Sequence, residues 1–342
     1  MILTYKVKHN RDFTEELKKA KQVAEYAILN RSALSTKFVS HLGLKACISN
    51  QILRKYGKNK KCKAITNVKL TINGYFIKLE NNTITIPCLK LTLPFDKPTT
   101  KIHQVELNKD YAFVACEVLE AKQITPKVNL GVDLNTTGHC AVVSCPETGK
   151  VYKLGKQANH IHQKYKAIRK ILQKKGKYKK VKAIKHKEAN IVRDLNHKIS
   201  RFIVNLATKL KGGIKLENLK GIRKAKNRKT FRYALNSWSF YQLRQFIEYK
   251  TKLAGIPVTL IAPQYTSQTC SRCGLIGERT KKQFKCASCG HVENADVNAS
   301  FNIALMESIS RLHKDRDLCK GNSDIPKEAT LVREAALEPT VL

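Results

Sequence analysis

VNLGVDLNTTGHCAVVS, residues 128–144, sets the organisation of the second half of this chain. The stretch begins as a nearly continuous apolar run that ends at Asp133, and a second apolar run follows after a turn. Short apolar runs bounded by turn residues are typical of buried strands. We therefore predict two strands here, with a carboxylate at the end of the first.

The segments that follow alternate between strand-like and helix-like patterns. In chain order we predict a strand in KVYKLG (150–155), two helical stretches, the second at about 183–210, a strand in GGIKLENL (212–219), a helix in WSFYQLRQFIEYKTKLAG (238–255), a strand in IPVTLIAP (256–263) and a last helix. In this order of elements the ends of the first and fourth strands are neighbours in the sheet, and the last helix packs across the same edge.

Three carboxylates stand at the ends of these elements. Asp133 ends the first strand, Glu217 ends the fourth, and Asp296 begins the last helix, so the three side chains can converge. Three carboxylates within about 5 Å repel by roughly 3 kcal/mol per pair at an effective dielectric near 20, and magnesium ions would offset that cost. Two such ions can activate water for attack on a phosphodiester, so the pattern predicts a nuclease site. For each acid alone, a role as turn former or helix cap stays open.

The first half of the chain has a different pattern. Residues 1–8 alternate as a strand, residues 12 to about 56 have helical spacing, and from about 65 to 120 the period changes to two. One helical face contains Leu17, Ala20, Val23, Ala24, Ala27 and Ile28. We predict an antiparallel sheet or small barrel, which the first strand joins across a small helical insert.

Four of the eleven cysteines form two CxxC pairs with twelve residues between them. The four are Cys270, Cys273, Cys286 and Cys289, and Gly274 or Gly290 follows each pair. Tetrahedral zinc needs thiolates on tight turns, and a glycine after each pair lets the backbone fold under the sulfur. We predict a structural zinc ribbon, since four protein sulfurs close the coordination shell. The other seven cysteines occur singly, which suits a reducing cytosol.

The charge of the chain predicts a polyanionic partner. It has 65 Lys and Arg against 26 Asp and Glu, a formal net charge of +39, and such an excess repels itself unless a polyanion neutralises it. Residues 150–187 contain fifteen Lys or Arg and no acid, and a second basic stretch spans 220–232. Both flank Glu217 in sequence. The predicted nucleic-acid contacts are Lys164, Arg169, Lys174, Lys179, Lys220, Arg223, Lys224, Arg228 and, in the ribbon, Arg272.

Nothing in the sequence directs the chain to a membrane. The first eight residues alternate like a strand, and no stretch approaches eighteen consecutive apolar residues. We therefore expect no membrane partner.

Four stretches resemble one known family: GVDLN (131–135), KLENLKGI (215–222), WSFYQLRQFIEYKTKLAGIPVTLIAPQYTSQTCSRCG (238–274) and CASCGHVENADVNASFNIA (286–304). In letters, order and spacing they are similar to the split RuvC nuclease domain and zinc ribbon of the TnpB family, which insertion sequences encode and which is related to type V CRISPR effectors. The resemblance implies an α+β multidomain fold. Its parts are an RNase H-like (RuvC) α/β nuclease domain with an inserted zinc ribbon, and an N-terminal β-barrel-like wedge domain carrying a small helical insert.

The resemblance also implies an activity, that of an RNA-guided DNA endonuclease. A guide RNA with a structured scaffold would pair with one strand of a double-stranded DNA target, beside a short motif that the protein reads. By position, Asp133, Glu217 and Asp296 match the family's catalytic acids, which bind two magnesium ions, and the four cysteines match its zinc ligands. Such a protein is expected in a prokaryotic cytoplasm, at the nucleoid when it acts.

The implied domains are a wedge-like β domain (1–10 and 57–128), a short helical recognition segment (11–56), the RuvC-like domain (129–265 and 292–312), the zinc ribbon that binds target nucleic acid (266–291) and a disordered tail (313–342). The recognition segment is short for the family, which leaves both a monomer and a homodimer open. Asn135 stands where the family often has Gly, and Asn294-Ala295 where it often has Asp-Arg, without loss of a ligand. Two alternatives stay open: an RNA-guided DNA-binding repressor without cleavage, and an unguided RuvC-like nuclease for branched or hybrid substrates.

Overall fold

A computed structural model describes residues 1–135, 138–219 and 240–306 of the chain. These residues belong to two units, Met1–Glu120 and a second that begins at Ala121. The predicted basic stretch 220–232 and the predicted disordered tail 313–342 lie outside the described residues. Within the described ranges, no helix combines the length and the apolar character needed to cross a bilayer.

The first unit contains two antiparallel sheets. Its strands are β1 (Ile2–Lys8), β2 (Leu70–Asn73), β3 (Lys78–Glu80), β4 (Thr83–Ile86), β5 (Leu91–Pro94), β6 (Lys101–Leu107) and β7 (Tyr111–Glu117). Four pair in the order β1-β7-β6-β2 and three in the order β3-β4-β5. β1 pairs with β7 along its whole length, as the alternating pattern predicts. The one sheet or barrel predicted for this region is instead two sheets, because a 3-10 turn at Gly74–Phe76 separates β2 from β3.

The helical insert of the first unit consists of α1 (Thr14–Leu29), a 3-10 turn (Thr36–Leu42) and α2 (Ala46–Gly57). The buried residues of α1 are Ala20, Val23, Ala24 and Ala27, which all belong to the predicted apolar face. α2 packs against α1 and against β2. The helical spacing of the apolar residues thus correctly predicts which face of α1 is buried.

The second unit contains a mixed five-stranded sheet. Its strands are β8 (Asn129–Leu134), β9 (Ala141–Ser144), β10 (Val151–Leu154), β11 (Gly213–Glu217) and β12 (Val258–Ile261). They pair in the order β10-β9-β8-β11-β12, antiparallel as far as β8 and parallel beyond it. Leu216 is the partner of Val132, so Glu217 and Asp133 follow as neighbours at one edge. The predicted adjacency of the first and fourth strands is confirmed.

The described helices of this unit are α3 (Gln157–Lys174), α4 (Tyr178–Leu210), α5 (Phe240–Ala254) and α6 (Ala295–Leu305). α4 begins at Tyr178, about five residues before the predicted start and two residues after Gly176, which has a φ of 63°. α4 and α5 contribute buried apolar residues to the core with the sheet, among them Ile199, Ile203, Ala207, Leu243 and Ile247. α6 packs against β8 and β9.

The chain after Glu120 binds to the second unit. The N–H of Ala121 donates to the carbonyl of Lys252 at 3.0 Å, and the N–H of Lys127 donates to that of Lys211 at 3.0 Å. Residues 121–127 are therefore part of the second unit, whereas the predicted domain boundary lies at 128. The hydrophobic periodicity of the sequence does not reveal this boundary, because it depends on backbone hydrogen bonds to residues far away in the chain.

Gly131 generates a prediction about how closely α6 can approach β8. A methyl group there would lie 2.0 Å from Ser300 O and 2.5 Å from Ala304 N, both backbone atoms of α6. Overpacking of this kind displaces backbone, so Gly131→Ala should lower the free energy of unfolding by about 3 kcal/mol in urea denaturation. The control is Gly213→Ala on β11, whose added methyl group meets its nearest atom, a side-chain oxygen, at 3.0 Å. Equal losses for the two variants would contradict the assigned role of Gly131.

Candidate active site and zinc centre

The three predicted acids lie at one edge of the five-stranded sheet. Asp133 is in β8, Glu217 is the last residue of β11, and Asp296 is in the first turn of α6. Asp133 is only 8% exposed and Asp296 only 5%. The negative charges of Glu217 and Asp296 both act on Asp133, so the structure brings the three side chains into one electrostatic neighbourhood.

Burial dominates the electrostatics of Asp133. The pKa of Asp133 is raised from 3.8 to about 7, first by burial and then by the charges of Glu217 and Asp296. Asn135 Nδ2 opposes this by donating a hydrogen bond to Asp133 Oδ2 at 2.7 Å. Because loss of hydration and like charges both disfavour ionisation, a cation bound here would stabilise the charged carboxylate.

Glu217 has a similar environment. Burial raises the pKa of Glu217, while a hydrogen bond from Thr266 and the charge of Arg279 act in the opposite direction. The Thr266 hydroxyl donates to Glu217 Oε1 at 2.6 Å. Thr266 lies a few residues after β12, so the strand that pairs with β11 also leads to the group that orients its terminal acid.

Two basic side chains bind Asp296. Lys282 Nζ lies 2.6 Å from Asp296 Oδ2, and an Arg279 Nη lies 3.4 Å from Oδ1. Lys282 Nζ also donates to Asn135 Oδ1 at 3.3 Å. The Lys282 ammonium therefore lies between Asp296 and the side chain that holds Asp133.

The carboxylates are close without forming a tight ligand cluster. Among the described residues, the four cysteines alone form a group whose ligand atoms all lie within 4.8 Å of one another. Hydrogen bonds link Asp296 to Asp133 through Lys282 and Asn135.

The four cysteines form a site that can hold zinc. Cys270 Sγ and Cys289 Sγ are 3.6 Å apart, and so are Cys273 Sγ and Cys286 Sγ. Tetrahedral Zn–S bonds of about 2.3 Å place sulfurs roughly 3.8 Å apart, so the donor set fits this metal. Gly274 and Gly290 have φ values of 78° and 68°, as expected for glycines that turn the chain beneath each pair.

A small sheet and two buried asparagines attach this ribbon to α6. Its strands are β13 (Glu278–Thr280), β14 (Gln283–Lys285) and β15 (Val292–Asn294), and β15 leads directly into α6. Asn298 Nδ2 donates to Thr269 O at 2.7 Å, and Asn302 Nδ2 donates to the same oxygen at 2.6 Å. The chain that enters the ribbon is thus bonded to the helix that carries Asp296.

Sequence reasoning missed the residues that orient the acids and hold the ribbon. Asn294, Asn298 and Asn302 recur every four residues in NADVNASFN, a spacing that places them on one helical face and offered a signal. Asn294 caps α6, because its Oδ1 accepts hydrogen bonds from the N–H groups of Asp296 and Val297. Thr266 and Lys282 gave no local signal, since their partners lie 49 and 14 residues away along the chain.

The predicted nucleic-acid contacts have different surroundings. Lys164, Lys174, Lys179 and Arg272 are exposed. Arg169 instead donates to Glu188, a buried acid of α4 that His162 Nδ1 also approaches at 2.8 Å, so the charge of Arg169 is paired between two helices. Lys220, Arg223, Lys224 and Arg228 lie outside the described residues.

Comparison with known proteins finds similarity to Cas12f1 and to TnpB-like proteins. The family model of the Cas12f1-like TNB domain matches residues 240–303. The CRISPR-associated endodeoxyribonuclease Cas12f1 of Sulfoacidibacillus thermotolerans is 34% identical over 229 residues, 60% of this chain and 52% of that protein. A TnpB-like protein of Methanocaldococcus jannaschii is 38% identical over 162 residues, 45% of this chain and 57% of that protein.

A cryo-EM structure of a Cas12f1–sgRNA–target DNA complex aligns over 89% of this chain and 99% of that chain, with 20% sequence identity and a TM-score of 0.44. The chain spans about half the length of the two sequence relatives.

The pKa of Asp133 predicts how stability depends on pH. Because its pKa of about 7 in the folded chain exceeds its ordinary value, the folded state binds this proton more tightly, and stability falls as pH rises from about 4 to about 7. Asp133→Asn keeps an acceptor for Asn135 without the charge. It should raise the free energy of unfolding by about 2 to 4 kcal/mol at pH 8 and by much less at pH 4, in urea without added divalent cations. Asp194→Asn, on the exposed side of α4, is the control and should change little.

Loss of one cysteine predicts loss of zinc. Cys286→Ser removes one of four converging sulfurs, so zinc in the purified protein should fall from about one ion per chain to a small fraction of that, measured by mass spectrometry of the metal. Cys62→Ser, outside the cluster, is the control and should retain its zinc. Full zinc occupancy in Cys286→Ser would refute the assignment.

Proposed function

We propose that this chain, which belongs to the TnpB family and is related to compact type V CRISPR effectors, is an RNA-guided DNA endonuclease. One observation carries the proposal: Asp133, Glu217 and Asp296 meet at one edge of a mixed five-stranded sheet. The strand order, antiparallel in its first three members and parallel in the rest, supports an RNase H-like (RuvC) fold for this unit. One relative is named an endodeoxyribonuclease, which favours cleavage over binding alone.

The three acids would hold two magnesium ions. They supply the oxygen ligands that magnesium prefers, and burial raises the pKa of Asp133 and of Glu217, so a bound cation would stabilise their ionised forms. When bound, two ions stabilise the attacking and leaving oxygens of an in-line displacement at a phosphodiester.

The neighbours of the acids would position them for this role. Asn135 holds one oxygen of Asp133, and Thr266 holds one oxygen of Glu217. Asn294 caps α6 and so fixes the turn that carries Asp296. Ligands held in this way by hydrogen bonds lose little freedom when they bind an ion, which favours a fixed coordination geometry.

The partners in this proposal are a guide RNA with a structured scaffold and a double-stranded DNA target. The net charge of +39 and the exposed Lys164, Lys174, Lys179 and Arg272 support binding of phosphate backbones. We propose the wedge role for 1–10 and 57–128, guide and target recognition for 11–56, cleavage for 129–265 and 292–312, and target binding for the zinc ribbon, 266–291.

Guidance is tested by the RNA that the protein retains. The chain would be expressed with its native flanking DNA, washed at high salt, and the bound RNA sequenced. We expect a defined species with a constant scaffold and a variable end. A heterogeneous mixture would mean that the basic surface collects RNA without selection, and would favour the unguided nuclease.

Cleavage is tested with that RNA and a matching duplex. We expect magnesium-dependent cutting by the wild type and none by Asp133→Asn, with binding of the duplex by both in a gel-shift assay. Asp194→Asn should cut like the wild type. Retained cutting by Asp133→Asn would refute the site assignment, whereas binding without cutting by the wild type would identify a guided repressor.

A further inference from the structure

The turn between β13 and β14 directs a lysine at the candidate active site. Lys281 has a φ of 56°, in the left-handed region, and its carbonyl accepts a hydrogen bond from Arg279 Nε at 3.1 Å. The next residue, Lys282, is anchored at its backbone, because its carbonyl accepts the N–H of Ala295 at 2.9 Å. The left-handed turn at Lys281 and the backbone bond to Ala295 together fix the position of the Lys282 backbone.

The Lys282 ammonium contacts the oxygen of Asp296 that a bound metal ion would also use as a ligand. It lies 2.6 Å from Asp296 Oδ2, and Arg279 covers the other oxygen at 3.4 Å. Its contact with Asn135 Oδ1 at 3.3 Å extends this bridge toward Asp133. Since Asp296 is only 5% exposed, a divalent cation that takes Asp296 as a ligand must replace a basic group. For a cation that binds Asp296 and Asp133 together that group is Lys282, because Lys282 and not Arg279 also bonds Asn135, which holds Asp133.

We propose that Lys282 is an internal cation that competes with divalent metal for Asp296, so that metal loading requires its ammonium to leave. The inference rests on the proposed assignment of Asp296 as a metal ligand. It adds a function for the zinc ribbon, which supplies a removable positive charge to the active site.

The structure favours release of the side chain without loss of the ribbon fold. The backbone of Lys282 is held to α6, whereas its side chain is 39% exposed and carries its charge on a flexible four-carbon stem. Rotation about that stem can move the ammonium into solvent while β13, β14 and β15 stay paired. Asp296 Oδ2 then becomes available to a metal ion.

Metal affinity measured directly tests the proposal. Zinc-loaded, nucleic-acid-free protein would be titrated with Mn²⁺, with free Mn²⁺ followed by electron paramagnetic resonance. Lys282→Gln should bind Mn²⁺ about fivefold or more tightly than the wild type, since it removes the competing charge. Lys285→Gln, on the same hairpin and exposed, is the matched control and should bind like the wild type. Equal or weaker binding by Lys282→Gln would overturn the proposal.

A second measurement uses the wild-type chain and so does not depend on the folding of a variant. Lysine acetylation, read by peptide mass spectrometry, should proceed severalfold faster at Lys282 when Mg²⁺ is added, with Lys285 unchanged. No change at Lys282 at saturating Mg²⁺ would contradict release. A chain that gives these results but does not cut DNA would overturn the proposed function and leave this inference standing, so the two failures are distinguishable.

Discussion

The parallel pairing of β8 with β11 is the constraint on which the candidate site depends. It places Asp133 and Glu217 side by side at the end of the sheet, where burial raises the pKa of both. Two ionised groups in such a place repel and lose hydration, so the surrounding residues must offset that cost. Asn135 and Thr266 do so by donating hydrogen bonds, while Lys282 and Arg279 bring positive charge.

The ribbon takes part in this arrangement because the chain leaves the sheet after β12 and returns at α6. Asn298 and Asn302 hold the entering chain against that helix, and the converging sulfurs hold the two CxxC turns against each other. The hairpin turn that carries Lys282 therefore lies next to Asp296. The four-cysteine ribbon precedes Asp296 in the chain, and its hairpin supplies the two basic groups that contact this carboxylate.

The features that the sequence predicted depend on residues close together in the chain, whereas the features that it missed depend on distant residues. Periodicity and end positions depend on neighbouring residues, so the strands from β8 to β12, the acids near the ends of β8 and β11 and the CxxC turns were predictable. The break between the two N-terminal sheets, the pairing of Arg169 with Glu188 and the approach of Lys282 to Asp296 depend on distant partners. A basic residue in a lysine-rich segment looks alike whether it is solvated or paired, and only the fold distinguishes these states.

The charge of the protein acts on the same carboxylates. Charges beyond about 8 Å are largely screened at physiological ionic strength, so the site responds chiefly to its near neighbours. Burial and then the charges of Lys153 and Lys156 lower the pKa of His139, while Asp296 acts in the opposite direction, so these cations and this acid share one local field. Asp296 therefore acts on His139, between β8 and β9, as well as on Lys282 and Arg279 in the ribbon.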